Sequence, residues 1–196
     1  MNSTEEKHFK NVSRFLALIL RHEPQVIKLD IDKQGWGSID YILANAPANL
    51  GEISRDLIDQ IVAENDKRRY AISADGQFIR ALQGHSIEVD LQLKVTLPPV
   101  TLYHGTVEGF IPSINDLGLL PRSRQHVHLS ADVETATRVA ARRKGKTVLL
   151  SVDCKAMLAD GHNFYLSENS VWLTDAVPAR YLSTIAPGLE PSELGR

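Results

Sequence analysis

Apolar side chains at Phe9, Val12, Phe15, Leu16 and Ile19 recur at the three- and four-residue spacing of one helix face. Ahead of them, Ser3-Thr4-Glu5-Glu6 has Ser3 and Glu6 at capping-box spacing, so a helix is predicted to open there. Pro24 cannot continue it, and the proline ring pushes Glu23 out of helical geometry. Arg21 and His22 therefore fall in the last turn, where the negative end of the helix dipole favours cations. A second helix is predicted over Ser38–Ala46, after the Gly35-Trp36-Gly37 turn. A third runs from Ser54 through Leu57, Ile58, Ile61 and Val62. Tyr70-Ala71-Ile72 and Phe78-Ile79-Arg80 flank Asp75-Gly76, which is a hairpin signal. Three short helices followed by a hairpin suggest a winged-helix-like lobe over residues 1–94. Such lobes often bind nucleic acid, by analogy of fold alone.

The pattern changes after residues 95–100, where Pro98-Pro99 marks the predicted linker. Strands are expected at Thr101–His104, Val127–Ser130, Val148–Val152, Phe164–Leu166 and Val171–Thr174. Helices are expected over Phe110–Leu117 and Asp132–Arg143. These make a second, mixed β lobe over 101–186, and the class expected for the chain is α+β. Residues 187–196 hold two prolines, two glycines and little that is apolar, so a flexible tail is predicted.

The length of 196 residues fits one domain or two small lobes, and either can bury a core without a metal or disulfide staple. A net charge of −2 excludes a globally basic nucleic-acid binder. The halves do not differ: residues 1–95 hold 12 basic and 14 acidic side chains, and 96–196 hold 10 of each. Any affinity for RNA must then come from a few aimed arginines. Cys154 is the only cysteine, which excludes an intramolecular disulfide and a thiolate zinc cluster. It follows the apolar run Thr147–Asp153 and reads as a small buried residue, not a nucleophile. No apolar stretch approaches the roughly 20 residues of a membrane span. The first residues are polar and acidic, unlike a signal peptide, so a cytoplasmic, reducing location is the expectation. With no coiled-coil pattern or large apolar patch, a monomer is expected.

Candidate chemistry is sparse. His126 and His128 alternate along a predicted strand and share one face. Together with His104 they raise the question of zinc, but no Asp, Glu or Cys stands at ligand spacing, so no metal is expected. Histidines acting as hydrogen-bonding groups in a cleft are the stronger reading. There is no Gly-x-Ser-x-Gly elbow, no phosphate-binding Gly-x4-Gly-Lys loop and no Gly-x-Gly-x-x-Gly. Arginines stand out instead: Arg21-His22 ends a helix, Lys67-Arg68-Arg69 begins a strand, and Arg122 and Arg124 lead into another. The rigid guanidinium fork suits phosphate oxygens and stays charged at any working pH. Arg138, Arg142, Arg143, Lys144 and Lys146 read as a solvated basic helix face and its end.

Several segments carry a family resemblance. In the first lobe they are Ser13-Arg14-Phe15-Leu16 through Leu20-Arg21-His22, Gly35-Trp36, Lys67-Arg68-Arg69-Tyr70 and Gln83-Gly84-His85-Ser86. In the second they are Tyr103-His104-Gly105-Thr106, Gly118-Leu119 and Arg124-Gln125-His126-Val127-His128-Leu129-Ser130. With these motifs in this order, the chain resembles the RNA 2′-phosphotransferase (tRNA 2′-phosphotransferase) family up to about Leu182. Tyr70 departs from an expected Phe, and Leu82 from the Asn that commonly precedes the Gln-Gly-His-Ser run.

The resemblance implies an enzyme with an N-terminal winged-helix RNA lobe and a C-terminal ADP-ribosyltransferase-like lobe that binds NAD⁺, consumed as co-substrate. It implies two steps. The RNA 2′-phosphate attacks the anomeric C1″ of NAD⁺ and expels nicotinamide. The ribose O2″ then attacks phosphorus, giving 2′-OH RNA and ADP-ribose 1″,2″-cyclic phosphate. The family's catalytic set falls on Arg21, His22, Arg69 and Arg124. The arginines are expected to grip the 2′-phosphate, and His22 to hydrogen-bond the phosphate or to act on the leaving 2′-oxygen. Tyr103-His104-Gly105-Thr106 resembles the dinucleotide motif of ADP-ribosyltransferases. It implies His104 on the NAD⁺ ribose and the Gly105 backbone near nicotinamide, with His128 and Ser130 lining the same pocket. The implied partner is a tRNA-like RNA bearing a 2′-phosphate, as left at a splice junction. A second reading is an ADP-ribosyltransferase acting on nucleic-acid ends or another phosphate acceptor. A third, a non-catalytic winged-helix binding module with a degenerate second lobe, needs neither His22 nor the full arginine set.

Overall fold

Helix α1 (Ser3–Arg21) is held by the face that the periodicity marked, with Val12, Phe15, Leu16, Ile19 and Leu20 buried. Glu5 and Glu6 lie in its first turn and Arg21 in its last, each sign matching the dipole end it faces. Ser3 is itself helical, one place inside the predicted cap. Beyond Arg21, Pro24 opens a short 3₁₀ turn, Pro24–Val26. The computed structural model describes residues 3–64 and 68–185, so Lys67 and the predicted tail over 187–196 lie outside the described residues. Over those residues the chain is mixed α+β with small antiparallel sheets, in two compact units, Met1–Gln92 and Leu93–Arg196.

In the first unit, Ser38 caps α2 (Ile39–Asn45) by accepting from the Tyr41 amide. Ser54 caps α3 (Arg55–Ala63) by accepting from the Leu57 amide. The hairpin forms as predicted, β2 (Tyr70–Ile72) against β3 (Phe78–Ala81), and the two-residue β1 (Gly37–Ser38) adds to the other edge of β3. Val12, Leu16, Ile19, Ile39, Ile42, Ile58, Ile61 and Ile79 close the core with no exposed surface. Each contributes roughly 1.5–3 kcal/mol by leaving water.

The second unit contains two three-stranded antiparallel sheets. One orders β4 (Thr101–Val107), β6 (Thr147–Asp153) and β9 (Leu182–Ile185). The other orders β5 (Val127–Leu129), β8 (Trp172–Thr174) and β7 (Tyr165–Leu166). Tyr103 and Ser130 exchange backbone hydrogen bonds of 2.9 and 2.8 Å, tying the end of β5 to β4. Leu102, Val127, Leu129, Val152, Met157 and Phe164 fill the core, with α4 (Ile111–Leu117) and α6 (Cys154–Ala159) around it. α5 (Val133–Ala140), capped by Asp132, crosses β4 so closely that a Cβ at Gly105 would stand 2.0 Å from the Ala136 carbonyl oxygen.

One expectation needs correction. α5 ends at Ala140, not at Arg143, because the chain tightens there: the Arg143 amide bonds the Ala140 carbonyl. α6 and β9 carry no pattern of their own in the sequence; β9 pairs with the distant β6. Cys154 is fully buried, as expected, and burial pushes its thiol up to about 12. Among the described residues no helix is long and apolar enough to cross a membrane.

Candidate active site

The end of α1 gathers the first group. Its final carbonyl, on Arg21, accepts from the Ser86 amide at 2.9 Å and the Ile87 amide at 3.3 Å. These satisfy a helix-end acceptor that has no intrahelical partner. The half-buried Arg21 guanidinium lies 5.8 Å from the centroid of the Tyr70 ring and donates from Nη2 to the Arg69 carbonyl at 3.5 Å. Gly84 takes a positive φ of 89°, which lets the turn run beneath that guanidinium; a Cβ there would sit 3.6 Å from Nη1. His22 is exposed, with Nδ1 3.0 Å from the Ser86 hydroxyl.

Tyr70 supports this group from below. It is buried and donates its hydroxyl to the Ser13 carbonyl at 2.7 Å. Burial raises its pKa against the charges of Arg21 and Arg69, so the ring under Arg21 stays neutral. Both arginines are thus near enough to act on one phenol, and Arg21, His22 and Arg69 are brought together in this unit. His85 is 1% exposed, and neither ring nitrogen has a hydrogen-bond partner among the described residues. Burial first, then the charges of Arg21, His22 and Arg80, lower its pKa to about 4, so it is a neutral neighbour.

The second unit holds a cleft of about 490 Å³. His104 and Thr106 enter it from one side of β4, and Arg124, His126 and His128 from the approach to β5 and from β5 itself. The His104 Nδ1–H donates to the His128 carbonyl at 3.1 Å, since a carbonyl can only accept. In the neutral ring that leaves Nε2 as an acceptor. Burial, more than the Arg143 charge and against the His128 bond, lowers the His104 pKa and keeps it neutral. Arg124 donates from Nη1 to Nδ1 of His128 at 3.3 Å, which puts the proton of a neutral His128 on Nε2. Partial burial of the Arg124 guanidinium, and then Arg143, lower its pKa, although the residue as a whole is exposed. It remains a cation at any working pH.

Arg143 also lines this cleft, its guanidinium 5.3 Å from the Phe110 ring centroid. It is exposed, but it lies past the end of α5 at Ala140 and not on a helix face. The sequence held no local signal for that helix end. Gly105 and Ser130, by contrast, do not line the cleft. The side-chain space at Gly105 faces α5, and Ser130 pairs with Tyr103. Among the described residues no group of three or more His, Cys, Asp and Glu is placed to hold a metal ion.

These two groups have different uses. Arg21 and His22 at the end of α1, with Arg69 just before β2, are suited to a compact anion such as a phosphate monoester. The cleft lies within the usual range of small-molecule sites, about 300–1,000 Å³. Its cations suit phosphates, the neutral His104 ring and Thr106 suit ribose hydroxyls, and Phe110 offers an apolar surface, so the residues present fit a dinucleotide.

The family model described as "RNA 2′-phosphotransferase, Tpt1 / KptA family" matches residues 7–176. A protein of Pseudomonas fluorescens named "Probable RNA 2′-phosphotransferase" is 49% identical over 92% of this chain and 99% of its own length. Proteins of the same name from Rhodopirellula baltica and Hahella chejuensis are each 52% identical, over 91% and 92% of this chain and 97% and 96% of their own lengths.

Proposed function

Because the chain belongs to the RNA 2′-phosphotransferase, Tpt1 / KptA family, and is therefore a transferase, we propose that it removes a 2′-phosphate from RNA with NAD⁺ as consumed co-substrate. The observation that carries the NAD⁺ half of this reading is the cleft in which Arg124, His128 and His104 are bonded in series, with Arg143 and Phe110 on its walls. In this reading the first unit is a winged-helix-like RNA lobe and the second an ADP-ribosyltransferase-like lobe. Bound in the cleft, NAD⁺ supplies an anomeric carbon with nicotinamide as leaving group, and an O2″ that later displaces the RNA 2′-oxygen from phosphorus.

Arg21 and Arg69 in the first unit and Arg124 in the second are the catalytic arginines of this reading, because a guanidinium fork orients phosphate oxygens and offsets charge as phosphorus becomes crowded. A phosphate dianion is already a nucleophile, so the chain need supply no base for the first step. In the second step His22 gives a proton to the departing 2′-oxygen. His104, through its Nε2 acceptor, and Thr106 hold ribose hydroxyls. His128 joins them to the phosphate-gripping Arg124.

The test is a short RNA with one internal 2′-phosphate, incubated with and without NAD⁺. Loss of the phosphate only with NAD⁺, together with ADP-ribose 1″,2″-cyclic phosphate, is the expected result. Release of inorganic phosphate without NAD⁺ would overturn the co-substrate. RNA that gains ADP-ribose and keeps its phosphate would turn the reading toward an ADP-ribosyltransferase.

A further inference from the structure

The Gln83-Gly84-His85-Ser86 turn caps α1, and its last residue also touches the proposed proton donor. The Ser86 hydroxyl lies 3.0 Å from Nδ1 of His22 and 3.4 Å from the Arg21 carbonyl oxygen. A serine has one hydroxyl proton. The carbonyl can only accept, so in the arrangement these distances describe Ser86 donates to it and His22 donates Nδ1–H to Ser86. The direction of one bond fixes the direction of the other.

This order holds in both charge states of the ring. Neutral His22 with its proton on Nδ1 carries its basic lone pair on Nε2, and the imidazolium keeps the same Nδ1–H bond while gaining a proton at Nε2. Proton exchange at Nε2 thus leaves the Ser86 bond intact. The opposite tautomer would require Ser86 to turn its proton toward His22 and give up the Arg21 carbonyl. The two amides already on that carbonyl, from Ser86 and Ile87, hold the helix end and the turn in register whichever way the hydroxyl points. The hydroxyl is therefore not needed to cap the helix.

We propose that Ser86 is a positioning residue that fixes His22 as its Nδ1–H tautomer, so that Nε2 is the atom exchanging a proton with the substrate. The proposal rests on the catalytic reading of His22, and its test separates the two. Ring ¹⁵N shifts of His22, followed on the full chain at a pH where the ring is neutral, are expected to show Nδ1 protonated and Nε2 bare. In Ser86→Ala they should move toward the Nε2–H form that free histidine prefers, and in Ser86→Thr they should not. An Nε2–H tautomer in the wild type, or no change in Ser86→Ala, overturns the proposal without reference to activity.

On the 2′-phosphorylated RNA, Ser86→Ala should lower kcat on the order of tenfold, the effect of one lost hydrogen bond. KM should change little, and Ser86→Thr should restore kcat. Unchanged kcat in Ser86→Ala beside a large loss in His22→Ala overturns the positioning role. Full activity in His22→Ala overturns instead the catalytic reading of His22.

Discussion

Arg124 and Arg143 carry the same charge in the same cleft, yet the structure separates their uses. Arg124 is tied to His128, whereas Arg143 rests against Phe110. Arg124→Ala is therefore expected to abolish phosphate removal while circular dichroism stays that of the wild type. Arg143→Ala should mainly raise KM for NAD⁺, by roughly ten- to a hundredfold if a charged hydrogen bond of about 1.5–3 kcal/mol is lost. Steady-state kinetics with each substrate varied in turn distinguishes them. His85 gives a prediction in pH. Its folded pKa of about 4 lies below the ordinary 6.5, so the unfolded chain binds the extra proton between those values. Stability from this group is complete above about pH 6.5 and falls on acidification to about pH 4, by about 3 kcal/mol. Thermal unfolding of wild type and His85→Leu at pH 7 and 4.5 should show a smaller acid loss in the variant. Arg21 and His22 were legible in the sequence because Pro24 sets the helix end that presents them. Arg143 was not, since its place depends on where α5 stops.

What held at the scale of elements followed from signals close in sequence. Ser38 and Ser54 cap the helices that they preceded, and the Asp75-Gly76 turn closes its hairpin. β1 has two residues and exists through β3; β9 exists through β6. Neither has a pattern of its own long enough to register, because strand preference is largely the fit to a partner. Gly105 shows the same dependence just past a predicted strand: the resemblance offered its backbone to a ligand, and α5 accounts for its missing side chain. Gly105→Ala is expected to push α5 off β4 and cost about 1–3 kcal/mol, as overpacking does. The Tm should fall by several degrees, and KM for NAD⁺ should rise with it, because Arg143 follows α5.

For the molecule as a whole, the balance of 22 basic against 24 acidic side chains makes few phosphate contacts the expectation. If Arg21, Arg69 and Arg124 are the contacts, log K for single-stranded RNA should fall with log salt at a slope of about 2. Fluorescence anisotropy between low and moderate salt measures it, and a slope several times steeper would mean a wider basic footprint. The same sparseness kept the two lobes legible only as patterns of elements, while their charges said little about which did what. The buried thiol has a practical consequence. With Cys154 enclosed and its pKa near 12, a maleimide dye finds no thiolate on the native protein at neutral pH. A cysteine introduced at exposed Ser123, on the cleft wall, would then carry the only label. Its emission would turn the filling of the cleft into an optical signal, readable before any product has formed.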